Sequence, residues 1–185
     1  MDTKNIERYA PQARRDFIQA VTDRAAAIGI RVDRGDVILS DIIVQGDVAF
    51  VEGRPFPKAL ERQRKGIEDR IKQDGFDRTI EAVAYTWFNR FIALRYMELH
   101  GYLDHGHRVL SHPAGEATPE ILQHAEQLDL PGLNRQEIIE LKLDGTRDEE
   151  LYRKLLVAQC NDLHRTMPFL FERVNDATEL LLPDN

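Results

Sequence analysis

A chain of 185 residues with 42% hydrophobic and 31% charged side chains has the balance of a globular protein and the length to bury a sizeable core. Its 25 basic and 32 acidic residues give a formal charge of −7, which argues against a nucleic-acid-binding coat over the whole surface but does not exclude a local basic face. The single cysteine, Cys160, excludes an internal disulfide framework; no uncharged apolar run approaches the ~18 residues of a membrane span, the first residues lack an apolar signal core, and a cytoplasmic location is expected.

Residues Lys4 to Tyr9 suit a short helical lead-in, and Pro11 suits the first turn of a longer helix. Phe17, Ile18, Val21, Ala25 and Ile28 recur at helical spacing on the apolar face of that helix, and Gly29 ends it. The pattern then changes. Val37-Ile38-Leu39, Ile42-Ile43-Val44 and Val48-Ala49-Phe50-Val51 are short β-branched runs punctuated by Gly35, Gly46 and Gly53. They predict a small β-hairpin or three-stranded meander at about 36–52, within an inserted subdomain at about 32–55 that Pro55 and Pro57 close. A second helix follows from Lys58 to Gln73, anchored by Leu60, Ile67 and Ile71 and ended by Asp74-Gly75.

The stretch from Ala82 to Leu103 is the most apolar of the chain and holds its only tryptophan, Trp87. At ~100° per residue, Ala84, Tyr85, Trp87, Phe88, Phe91, Ile92, Leu94 and Leu99 fill one broad arc, with Asn89, Arg90, Ala82 and Ala93 opposite. So wide an arc predicts a central helix, about 76–100, buried on most sides and stopped by Gly101. Arg95 and Glu98 fall inside the arc three residues apart, which predicts a buried structural ion pair, since an unpaired charge there costs several kcal/mol. The alternative is that Arg95 or Arg90 reaches outward to a phosphate or another domain.

Beyond Gly101, residues Tyr102 to Pro113 read as a loop, and Ala114 to Thr118 as mobile. Thr118 and Pro119 open a helix over Ile121 to Leu128, and Asn134 caps another over Gln136 to Leu143 with Glu137 as capping-box partner. Thr146 caps the last long helix, which carries Asp148, Glu149 and Glu150 in its first turn, buries Leu151, Leu155, Leu156, Ala158, Cys160 and Leu163, and ends near Met167-Pro168. The tail from Phe169 is apolar, with Leu180, Leu181 and Leu182 near its end, and is expected to be covered by another domain or a partner. The fold class is therefore mainly α: one helical, bundle-like domain around the central helix, with the small β element.

Three clusters could carry chemistry. Arg62, Arg64 and Lys65, with Arg70 and Lys72, form the densest basic group, either a solvated face paired at i,i+4 or a phosphate-backbone contact. His100, His105, His107 and His112 lie within thirteen positions. Loop and capping roles are the expectation for them, and a two-histidine, one-carboxylate metal site would need Asp104 or Glu98 to converge. Cys160 and His164 are four apart without a visible third partner, so a buried thiol beside a polar histidine is expected. No phosphate loop, dinucleotide fingerprint, nucleophile elbow, His-Glu-x-x-His or Cys-x-x-Cys occurs, nor the Phe-x-Gly-x-Gly and Asn-Pro-Pro-Tyr of amino-methyltransferases.

Five stretches nonetheless carry a resemblance: Tyr9 to Phe17, Ala84 to Arg90 with Arg95 to Gly106, Gln159-Cys160, Met167 to Glu172, and Leu180 to Asn185. In this order they resemble the N-terminal region of the PglX adenine-specific DNA methyltransferases of type 1 BREX phage-defence systems. The resemblance implies a family function of adenine N6-methylation with S-adenosylmethionine, by motifs in a downstream class I methyltransferase domain. It transfers no catalytic, cofactor or metal residue to this chain, which is expected to be inactive alone. For this region the expectation is a scaffold and DNA clamp for that domain, favoured by the basic cluster from Arg62 to Lys72. The alternative is a module docking other BREX components or a phage inhibitor without touching DNA.

Overall fold

The computed structural model describes residues 4–173 and 176–183, with side-chain surroundings from 10 to 173 and from 177 to 183. Seven α-helices and five short strands are present among them, so the chain is mainly α with a small β element, as the patterning predicts. The chain divides into two compact units, residues 1–88 with 175–185, and residues 89–174.

In the first unit, α1 (Lys4–Ala27) runs through Pro11 as one helix, where the sequence suggested a lead-in and a fresh start. Val21, Ala25 and Ile28 are fully buried, as the periodicity requires. Phe17 lies edge-on to Phe88 with ring centroids 5.9 Å apart. Gly29 turns the chain with φ +80° into β1 (Ile30–Asp33).

The β segment is larger than the sequence indicated. β1 pairs antiparallel with β2 (Asp36–Leu39), and β3 (Ile42–Gln45), β4 (Val48–Val51) and β5 (Arg54–Pro57) form a separate antiparallel meander. Both missed strands have a physical reason. β1 holds only two apolar residues, Ile30 and Val32, and β5 carries Pro55 and Pro57, which an edge strand tolerates. Arg34-Gly35 and Glu52-Gly53 each place two successive residues at positive φ, the condition of a tight two-residue hairpin. The Arg31 guanidinium donates to both Glu52 oxygens at 2.7 and 2.5 Å, and the Ser40 hydroxyl donates to one of them at 2.8 Å, which ties the two sheets together. These bonds hold the Glu52 carboxyl below the usual range, Arg31 contributing most.

α2 (Leu60–Asp74) buries Leu60, Ile67 and Ile71 as expected, and Arg64 besides. The apolar tail needs no outside cover for its leucines. Leu180, Leu181 and Leu182 are buried within this unit, on and after α7 (Asp176–Leu180). A Cβ on Gly66 of α2 would lie 3.1 Å from the Ala177 Cβ, so the missing side chain lets the two helices approach. Trp87, fully buried, donates its indole N–H to the Thr178 carbonyl at 3.1 Å.

α3 (Phe76–His100) is the central helix, and Gly101 stops it at φ +67°. Its buried stripe is narrower than the apolar arc: Thr79, Ile80, Val83, Ala84, Trp87, Arg90, Leu94 and Glu98. Tyr85, Ile92, Tyr96 and Leu99 are more than half exposed. The boundary between the two units falls within this helix, after Phe88.

The second unit adds α4 (Glu120–Gln123), a 3-10 turn (Ala125–Gln127), α5 (Arg135–Asp144) and α6 (Asp148–Leu163). The single helix expected over 121–128 is broken at His124, with φ −104° and ψ 11°. Asn134 caps α5 as predicted, its side chain accepting from the Gln136 and Glu137 N–H groups. Glu137 does not complete a capping box and pairs with Lys154 at 2.9 Å instead. Thr146 does not cap α6; its hydroxyl donates to Asp144 and the cap position is Arg147. Ile121, Ile138, Leu141, Leu151, Leu155, Leu156 and Phe171 build the core of this unit.

Candidate functional site

The basic group on α2 divides in two. Arg64 is 3% exposed, donates to Glu68 at 2.8 Å, and donates to the Ile28 carbonyl at 3.2 Å where α1 ends. It supports the end of α1 and is withdrawn from the surface, because its i,i+4 carboxylate and an orphan helix carbonyl together satisfy a buried guanidinium. Arg62, Lys65, Arg70 and Lys72 are exposed. Arg70 faces Asp74 at 3.9 Å and Lys72 faces Asp69 at 3.3 Å, so part of the row is self-neutralised. The helix carries five basic and four acidic side chains, which leaves a weakly positive surface rather than a strong basic field.

On α3 the expected ion pair is one-sided. The Glu98 side chain is fully buried, whereas that of Arg95 is 48% exposed. One Glu98 oxygen accepts from Arg95 at 2.5 Å and from the Ser111 hydroxyl at 2.9 Å, and the other accepts from the Val109 and Leu110 N–H groups at 2.8 and 2.7 Å. Glu98 is thus an anchor for the loop after α3, held by backbone donors as much as by a cation. Arg90, which the helical wheel placed on the polar strip, is the buried arginine of this helix and donates to the Glu172 carbonyl at 2.7 Å. Burial lowers its pKa, opposed by the nearby Cys160 and Glu172.

The four neighbouring histidines do not converge. His100 bonds the Tyr96 carbonyl and stacks on the Tyr96 ring, and His112 faces Glu116 at 3.8 Å. His105 and His107 come together instead with His124 from the end of α4. Their rings form a pile, with centroids 5.7 Å apart for His105 and His107 and 3.9 Å for His107 and His124. Glu120, the first residue of α4, lies 3.6 Å from His107 Nδ1. Its other oxygen accepts from the Arg108 N–H at 2.8 Å. Neither Asp104 nor Glu98 supplies the carboxylate. His164 bonds the Phe171 carbonyl at 2.7 Å, and Cys160 is fully buried, with burial pushing its pKa up to about 12.

No protein-family model matches the chain. It is 45% identical over 189 residues to the adenine-specific methyltransferase BrxX of Escherichia coli O9:H4 (strain HS), a match that covers the whole chain. It is 34% identical over 196 residues to the adenine-specific methyltransferase PglX of Lacticaseibacillus casei (strain Zhang), with 98% of the chain covered. The chain is a relative of the BrxX and PglX adenine-specific methyltransferases. It spans 16% of the length of each.

Methyltransferases of this group imply S-adenosylmethionine as methyl donor, and the described residues do not fit that group. Every strand pairing among them is antiparallel, and no glycine-rich turn joins a strand to a helix N-terminus. In this chain the described residues contribute loop anchors, helix supports and a histidine cluster. The residues missed in the sequence were Glu120 and His124. Their signal lies in the spacing, since a carboxylate and an imidazole four apart share one helix face, but His124 is twelve positions beyond His112 and outside the dense histidine run.

Proposed function

We propose that this chain is the N-terminal helical region of a site-specific adenine-N6 DNA methyltransferase of a BREX phage-defence system, acting as scaffold and DNA clamp for a catalytic domain outside the chain. The end-to-end match to 16% of two adenine-specific methyltransferases carries this reading. The clamp rests on α2, where Arg62, Lys65, Arg70 and Lys72 are exposed. From Arg62 to Lys72 the helix advances ~15 Å, roughly four phosphates along one DNA strand. Chemistry and S-adenosylmethionine belong to the catalytic domain, and this region holds DNA and supports the fold around it.

A docking role without DNA contact is the second reading. It is favoured by Ile38, Ile43 and Tyr85, which are 49%, 58% and 69% exposed. DNA binding by the full-length enzyme over a salt series, with Arg62 and Lys65 reversed to Glu, separates the two. The clamp requires weaker binding and a shallower salt dependence. Docking alone requires DNA binding to be unchanged.

A further inference from the structure

We propose that His107, Glu120 and His124 bind a divalent transition-metal ion of the zinc type. One ligand atom from each of the three lies within 4.8 Å of the other two. A tetrahedral zinc site with bonds of about 2.05 Å has ligand–ligand edges of roughly 3.3 Å. The His107 Nδ1 to Glu120 Oε1 separation of 3.6 Å is already close to such an edge. Two imidazoles and one carboxylate form a donor set that suits zinc, cobalt or nickel, and one too rich in nitrogen for magnesium or calcium.

The surroundings are those of a supported site. Glu120 is oriented by the Arg108 N–H through the oxygen that does not face His107. His105 stands behind His107 and is fully committed: its Nδ1 accepts from the His107 N–H at 3.1 Å, and its Nε2 donates to Gln159 at 2.7 Å. Its ring stacks on His107, which restricts how that side chain turns. Such outer contacts orient metal ligands and tune their affinity. All three ligands are partly buried, and they come from two segments, the loop after α3 and the broken helix α4. A bound ion would clip those segments together.

The parallel rings of His107 and His124, 6° apart, aim their in-plane lone pairs along parallel planes. Binding therefore turns one ring out of the stack. Calorimetric titration of the chain with Zn2+ is expected to show one ion per chain, with no heat from Mg2+. Co2+ is expected to give the visible absorption of a four-coordinate ion. E120Q and H124N should each weaken Zn2+ binding at least tenfold, while H112N, beside Glu116 and outside the cluster, leaves it unchanged. Should a variant fail to fold, imidazole NMR of the wild-type chain decides: Zn2+ shifts His107 and His124 and not His100 or His112. No Zn2+ binding, undiminished binding in both cluster variants, an equal loss in H112N, or shifts spread over all the histidines would each overturn the site.

Discussion

At Gly29 the chain leaves α1 with φ +80°, and a Cβ there would sit 2.7 Å from Val51 Cγ1 and 2.9 Å from the Ser40 Cβ. The left-handed conformation costs an L-residue roughly 1–2 kcal/mol, and forcing a methyl into a packed site costs about 1–3 more. Gly29→Ala should therefore destabilise the chain by about 2–5 kcal/mol in urea unfolding. A loss below about 0.5 kcal/mol, the size of an ordinary surface change, would show that α1 and the strands do not meet there. Cys160 gives a second residue-scale expectation. With its pKa pushed up to about 12 and its side chain buried, it stays a neutral thiol. A thiol reagent should label the native chain only as fast as the chain opens, and labelling at the rate of a free thiol would contradict the burial. The folded pKa is raised above the ordinary 9.0, so the stability this burial contributes is present below pH 9 and is lost as pH rises toward about 12.

Among the elements, α3 shows how far periodicity reaches. Its position, its stop at Gly101 and the burial of Trp87 and Leu94 follow from the spacing of apolar residues. Which apolar residues face solvent does not, because Ile92 and Leu99 are as hydrophobic as the residues that are buried, and the ring of Tyr85 is largely apolar. Arg90 looks like surface, and its burial depends on a carbonyl 82 residues away at Glu172. The same holds for Arg64, whose partners lie at the end of another helix as well as on its own. In the histidine cluster the break at His124 decides the geometry, and no glycine or proline marks it. The one-sided pair on α3 changes the expected energetics. Glu98→Ala leaves two backbone N–H groups and a hydroxyl without their acceptor and should cost about 3 kcal/mol. Arg95→Ala removes a half-exposed cation and should cost about 1 kcal/mol or less. Equal losses in urea unfolding would restore a symmetric buried pair.

Across the whole molecule, a net charge of −7 and a weakly basic α2 set the scale of any clamp. Four exposed cations, with Arg70 and Lys72 among them facing carboxylates on the same helix, can hold a DNA backbone only as an auxiliary to a larger binding surface. The proposed clamp is tested most directly by the salt dependence of DNA affinity in the full-length enzyme. Each phosphate contact contributes about 0.9 to the slope of log affinity against log salt. With Arg62 and Lys65 both changed to Glu, the slope should become shallower by about 2, and affinity at low salt should fall at least tenfold. A slope and affinity equal to those of the unmodified enzyme would contradict the clamp.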